Sequence, residues 1–291
     1  MKELKILGVV VALTLITYIG VEPFAHSQMH PHVEAPDYSF KDLGDVRQGK
    51  TGNVANGKSL IVEQFQCQSC HTLTVDGAQI GNSMDLGVMT PDLTSAGTIY
   101  EANYLAAFIA DPAKAGDVAH KFEGNKTHPM TKLDMNYDGT FGDDDAQAVA
   151  DIVAFLKSIA PSSLTDKEVF IDACGRCHSM KYAGLTATTV EESVAKYMGT
   201  VPPDLSQYIK SRSKNYLHEF INLPQKHLEG TAMPRTGLTE SAEEQVVTFM
   251  EDIGDSKKAE RESLGINVLL YLAVLAVFAW LWKIKIWREV H

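Results

Sequence analysis

The chain has 291 residues, 45% of them hydrophobic, enough for two domains of ordinary size with cores of their own. Its formal net charge is −11, and so acidic a chain is a poor partner for nucleic-acid phosphates.

Residues 6–21 are apolar and uncharged, with Lys2 and Lys5 just ahead. No small-x-small cleavage site follows, since Glu22-Pro23-Phe24 is a poor one, and residues 1–21 therefore read as an uncleaved membrane anchor rather than a signal peptide. Residues 22–50 lack a sustained period and read as an extended linker. His26, His30 and His32 fall together there, but no Cys or carboxylate stands at ligand spacing, and they stay unassigned. A short helix is predicted over 56–66, entered through Asn56-Gly57 and ending at Cys67-Gln68-Ser69-Cys70-His71.

That pentapeptide has a second copy, Cys174-Gly175-Arg176-Cys177-His178, and the two use all four cysteines of the chain. Cys-x-x-Cys-His is the attachment signature of c-type haem: each thiol adds to a vinyl group, and the adjacent His becomes an axial iron ligand. A shared zinc site would place the pairs roughly 15–20 residues apart, and these are far more distant. A thioredoxin-like pair leaves both histidines unexplained. The motifs therefore predict two covalent haems c, with His71 and His178 as proximal ligands.

Between the copies, Thr90-Pro91-Asp92-Leu93-Thr94 leads to a helix predicted over 98–110, striped by Tyr104-Leu105 and Phe108-Ile109 and stopped by Pro112. An amphipathic helix follows at 144–158, its first turn acidic as the helix dipole favours. Pro161-Ser162-Ser163 marks a boundary. From Thr165, a predicted N-cap, the order recurs: the second motif, Pro202-Pro203-Asp204-Leu205-Ser206, a helix with Tyr216-Leu217 and Phe220-Ile221, Pro224, Met233-Pro234, and a closing helix over 240–253. Pro91 to Tyr104 and Pro203 to Tyr216 both span 13 residues, and the register continues through Phe108 with Phe220 and Pro112 with Pro224. Self-similarity of this kind indicates a duplicated domain. The predicted units are 51–160 and 161–254, followed by a charged linker at 255–263.

One stretch has no counterpart in the second half. Asp134-Met135-Asn136-Tyr137-Asp138-Gly139-Thr140 through Asp145 follows the EF-hand loop, with Asp, Asn, Asp and Asp at positions 1, 3, 5 and 12, Gly at 6 and the Thr140 carbonyl at 7. Asp145 replaces the usual Glu at position 12, which would weaken Ca²⁺ binding, and no full pair of flanking helices is apparent. A solvated acidic loop is the competing reading.

Residues 264–282 are again uncharged, and nineteen helical residues rise roughly 28 Å, enough to cross a hydrocarbon core. Lys283, Lys285 and Arg288 follow, and Trp280, Trp282 and Trp287 straddle that end as an interfacial belt would. Positive charge outside both spans puts both termini in the cytoplasm and the body between them across the membrane, in the periplasm. Residues 22–264 carry a formal charge of −14, which favours a soluble partner with a basic face.

Each half resembles a class I cytochrome c domain: Cys-x-x-Cys-His, Pro-Asp-Leu, a Tyr-Leu-x-x-Phe-Ile helix, a Met loop and a closing helix. The resemblance implies an all-α fold, here two tandem domains between an N-terminal and a C-terminal transmembrane helix (264–291 with its tail). With both anchors and the run Val21-Glu22-Pro23-Phe24-Ala25-His26-Ser27, the whole resembles the di-haem cytochrome c subunit of bacterial cytochrome bc complexes, the quinol:cytochrome c reductases. It implies that the Pro91 or Pro203 carbonyl fixes the proximal imidazole and that Met233 is the second haem's distal ligand. For the first haem it points to Met130, with Met135, His120 and His128 as alternatives; Met135 lies inside the calcium-like motif. The expected role is to relay single electrons from a Rieske-type iron–sulfur protein to a soluble cytochrome c or terminal oxidase, with no catalysis of its own. Expected partners are cytochrome b and the Rieske subunit, in a dimeric complex of the bacterial inner membrane. The competing readings are a cbb-type oxidase subunit, against which the second anchor counts, an unattached membrane-tethered shuttle, and a di-haem peroxidase, which needs one displaceable ligand.

Overall fold

The computed structural model describes residues 2–29, 36–124 and 126–290. His30 and His32 lie outside them.

The amino-terminal helix runs further than the sequence reading placed it. Helix α1 (Lys2–Ile16) passes through a π-turn, Thr17–Val21, into α2 (Glu22–Met29), so the segment after residue 21 begins as helix and not as extended linker. The physical reason is Pro23. It has no N–H to give, and the wider turn just before it, closed by Glu22 N–H on the Thr17 carbonyl, absorbs the missing bond without ending the helix. Residues 4–25 of this helix are long and apolar enough to cross a membrane.

The described part of the linker, from residue 36, is not free chain. Its Phe40 side chain is fully buried against Tyr104, with Ala107 and Ala115 in the same cluster. Helix α3 (Val54–Ser59) starts two residues earlier than predicted, because Asn53 caps it by accepting from Asn56 N–H at 3.1 Å, and it ends in a second π-turn, Leu60–Gln64. Between the first Cys motif and the next helices lies a feature outside the all-α expectation: β1 (Leu73–Val75) pairs antiparallel with β2 (Ala78–Ile80) across Asp76-Gly77. The predicted helix at 98–110 is two pieces, α4 (Ala96–Ile99) and α5 (Ala102–Ala110). Glu101 interrupts them, because its carboxylate caps α5 by accepting from the N–H groups of Asn103 and Tyr104. Pro112 ends α5 as predicted and opens the single turn α6 (Pro112–Ala115).

Helix α7 (Asp143–Ile159) closes the first core, which is built from Leu60, Ile61, Leu73, Leu105, Val149, Ile152 and Phe155 among others. It packs on α3 so closely that a Cβ on Gly57 would collide with the Asp151 carbonyl. The buried Asp151 side chain fixes the crossing, accepting from Asn53 N–H at 2.6 Å and from Asn56 Nδ2 at 2.5 Å.

In the second half, α8 (Asp166–Ala173) has the predicted Thr165 cap, a full capping box with Glu168. Next come α9 (Glu191–Met198), which the sequence reading did not foresee, then α10 (Tyr208–Ser211), α11 (Lys214–Asn222), α12 (Pro224–His227) and α13 (Glu240–Gly254). Their core joins Val169, Phe170, Leu217, Ile221, Val246 and Met250, with the rings of Phe170 on α8 and Phe249 on α13 5.0 Å apart. The charged residues after 254, predicted as a linker, are mostly helix: α14 runs unbroken from Lys258 to Val290. Ion pairs Lys258–Glu251 and Arg261–Asp255 hold its first turn against the end of α13. This helix too is long and apolar enough to cross a membrane.

Candidate functional site: two cysteine–histidine turns

Both Cys motifs fold into the same turn. Cys70 N–H and His71 N–H bond the Cys67 carbonyl at 3.1 and 2.9 Å, while Cys177 N–H and His178 N–H bond the Cys174 carbonyl at 3.1 and 2.9 Å. A helical turn brings positions i, i+3 and i+4 to one face, so each turn presents two thiols and an imidazole together.

Each imidazole is then oriented by a proline carbonyl. His71 Nδ1 lies 2.8 Å from the Pro91 carbonyl oxygen, and His178 Nδ1 lies 2.8 Å from that of Pro203. A carbonyl only accepts, so the proton sits on Nδ1 and the Nε2 lone pair is left for an electrophile. Burial lowers the pKa of both histidines, keeping them neutral and able to ligate a metal. The proline loops are held in matching register. Leu93 N–H bonds the Thr72 carbonyl at 2.8 Å and Leu205 N–H bonds that of Ser179 at 2.9 Å, each carbonyl belonging to the residue after the histidine.

All four cysteines are free. Burial pushes the Cys67 thiol up to about 11 and the Cys174 thiol up to about 12, the reverse of the depressed values that make a dithiol redox catalyst reactive. Among the described residues no group of three or more His, Cys, Asp or Glu side chains is placed to hold a metal ion, so the two pairs do not converge on a shared zinc site. Residues 54–160 match the cytochrome c family. That segment is a cytochrome c domain, and such a domain carries covalently bound haem c and transfers electrons.

No curated protein matches the chain. Among solved structures, a chain described as hyperthermophilic respiratory Complex III is 21% identical, over 43% of this chain and 75% of that one, with a TM-score of 0.36.

The donors of the cytochrome c domain fit its cofactor: two free thiols, a neutral imidazole with Nε2 available, and unspent hydrogen-bond capacity nearby. Among the described residues the buried Nε–H groups of Arg176 and Arg235, which lie beyond residues 54–160, have no acceptor, and an acidic cofactor such as haem, with its propionates, would supply one.

Of the residues expected as distal ligands, Met130 and Met135 both pack on the first core. Met135 has its N–H on Asp145 Oδ1 at 2.6 Å and its sulfur 3.8 Å from Gln64 Nε2. His128 sits edge-on to Phe122, ring centroids 4.8 Å apart, with Nδ1 3.1 Å from the Met130 carbonyl, and His120 is exposed. Met233 is half-buried in the loop before α13.

The carboxylates of the calcium-like loop are turned on its own backbone. Asp134 accepts from Asn136, Asp138 and Gly139, Asp138 from Thr140, and the buried Asp145 from Met135 and Gly142.

Sequence reasoning missed the seam between the two motifs. Arg176, inside the second motif, donates to the Met89 carbonyl at 3.3 Å. Met89 N–H donates to Thr189 Oγ1 at 2.9 Å, and Thr90 Oγ1 donates to the Cys70 carbonyl of the first motif. Ser95 Oγ donates to Asp172 Oδ2 across the same seam at 2.5 Å. Only the basic residue between the second pair of cysteines hinted at it.

Proposed function

We propose that the chain is a membrane-anchored di-haem cytochrome c that relays single electrons within a quinol-oxidising bc-type complex. In this reading Cys67, Cys70 and His71 hold one haem and Cys174, Cys177 and His178 the other, with Met130 and Met233 as distal ligands. The observation that carries it is the identity of the two turns: the same two backbone bonds in each, and the same Nδ1–H on a prolyl carbonyl. A second half that had lost its cofactor would have no reason to keep that bond, since it matters only for a ligating imidazole.

Haems held by these residues would supply one-electron redox chemistry, with the Met130 and Met233 thioethers raising the potential. The protein's part is orientation: Pro91 and Pro203 fix the imidazole tautomer. Held by a histidine and a methionine each, the haems would have no open position for a substrate, which sets this reading apart from a peroxidase. The two anchors and the acidic body support an arrangement with both termini in the cytoplasm, the haem-bearing halves in the periplasm, and cytochrome b and a Rieske protein as neighbours.

The test is stoichiometry and company. Purified in mild detergent, the protein is expected to carry two covalent haems per chain by alkaline pyridine spectrum, falling to one in Cys174→Ser/Cys177→Ser, and to co-purify with a b-type cytochrome and an iron–sulfur protein. One haem per wild-type chain, or a copper–haem oxidase core as companion, would overturn it.

A further inference from the structure

The loop from Leu228 to Thr239, which carries Met233, is held by its own half at Thr231 and Thr236 and from outside that half at Arg235, Gly237 and Thr239. Arg235, two residues beyond Met233 and 4% exposed, sends its guanidinium to the linker: Nη1 lies 2.6 Å from Asp42 Oδ2, and Nη2 lies 3.1 Å from Asp42 Oδ1. The same guanidinium carbon lies 4.6 Å above the centroid of the Phe40 ring. The main chain is fixed by the first half. Arg235 N–H donates to the Gly116 carbonyl at 2.8 Å, and the buried Tyr104 hydroxyl donates to the Arg235 carbonyl at 2.5 Å. Further on, Glu101 N–H bonds the Gly237 carbonyl and Thr239 N–H bonds the Ile99 carbonyl, each at 2.9 Å. The Met130 loop differs: Leu133 N–H bonds the Ile109 carbonyl, a contact within the first half.

We propose that Asp42 and Tyr104 are positioning residues for the second haem: the linker and the first half together clamp the Met233 loop in the place from which its thioether ligates. The proposal rests on the di-haem reading with Met233 as ligand. The chemistry follows from burial and charge. Without Asp42, the buried Arg235 guanidinium loses the acceptor of both its Nη groups, and the loop that carries Met233 must move to hydrate them. Without the Tyr104 hydroxyl, the Arg235 carbonyl loses a buried donor. Either change favours a detached thioether, which lowers the potential of that haem and opens its iron to an added ligand. The first haem, whose loop is held by its own half, is untouched.

The experiment uses the full-length holoprotein in detergent, with imidazole as the added ligand. Imidazole affinity of each ferric haem is read from the loss of the methionine–iron charge-transfer band, alongside a potentiometric titration that resolves the two haems. Met233→Ala is the reference and identifies the haem that Met233 serves. For that haem alone, Asp42→Ala is expected to tighten imidazole binding about tenfold and lower the potential, as the loss of a charged hydrogen bond predicts. Tyr104→Phe is expected to act in the same direction by less, and Asp42→Glu to restore wild-type behaviour. Wild-type imidazole affinity in Asp42→Ala beside an altered Met233→Ala overturns the clamp, as does a change at both haems, which would mark general loosening. If Met233→Ala itself leaves both haems unchanged, the ligand assignment fails instead.

Discussion

Glu243 shows how much a single residue can depend on partners remote in sequence. Its side chain is fully buried on α13, and one oxygen takes the Tyr38 hydroxyl at 2.7 Å and His218 Nδ1 at 2.9 Å. The acid's pKa is raised from the ordinary 4.5, first by burial and further by the charge of Glu240, while the His218 and Tyr38 hydrogen bonds pull the other way. A carboxyl with a raised folded pKa binds its proton more tightly in the native state. Its contribution is therefore greatest at low pH and declines as pH climbs from 4.5 through the folded value. Glu243→Gln keeps an acceptor for both donors but cannot ionise. The variant is expected to match or exceed the wild type in thermal midpoint at neutral pH and to lose this part of the decline, measured by calorimetry between pH 4.5 and 8. The cysteines and histidines of the two turns were legible because they stand in adjacent letters and then repeat, whereas Pro91 and Pro203, 20 and 25 residues beyond the histidines, were reached only through the family resemblance. Glu243 was not, since Tyr38 and Glu243 meet only through the fold. The same holds for Asp42 with Arg235.

At the scale of elements, what was legible followed length and capping chemistry. Helices α7 and α13 have long amphipathic runs, and α8 has a Thr-x-x-Glu capping box, so each appears close to its predicted bounds. The misses have identifiable causes. Val75-Asp76-Gly77-Ala78 is a hairpin signal of the standard kind, overlooked because each strand is only three residues long. The charged start of α14 looked like a linker because its ion pairs depend on the end of α13 lying beside it. The α3–α7 contact, by contrast, can be tested at one glycine. Gly57 faces the Asp151 carbonyl with no room for a methyl, so Gly57→Ala must push the helices apart despite its better helix propensity. Overpacking of this kind costs about 1–3 kcal/mol, to be read as a lowered thermal midpoint of the haem-loaded protein. A midpoint equal to or above wild type would mean the two helices are not in backbone contact.

For the whole molecule the distribution of charge decides which partners can approach quickly. The stretch 22–264 carries a formal −14 while the apolar helices at either end are flanked by Lys and Arg, so the acidic surface belongs to the body that holds the two Cys–His turns. The acidic surface repels an acidic acceptor and draws in a basic one, and the field acts over a distance set by salt: about 30 Å at 0.01 M ionic strength and about 8 Å at 0.15 M. Steering acts on the association step and leaves the electron transfer within the docked pair unchanged. Oxidation of the reduced protein by a basic soluble cytochrome, followed by stopped flow, is therefore expected to slow about tenfold or more in its second-order constant between these two salt concentrations. With an acidic cytochrome of matched potential the constant should rise over the same range. Equal and flat salt profiles for the two acceptors would mean that they dock on a patch whose local charge is balanced, and that the acidic surface faces elsewhere.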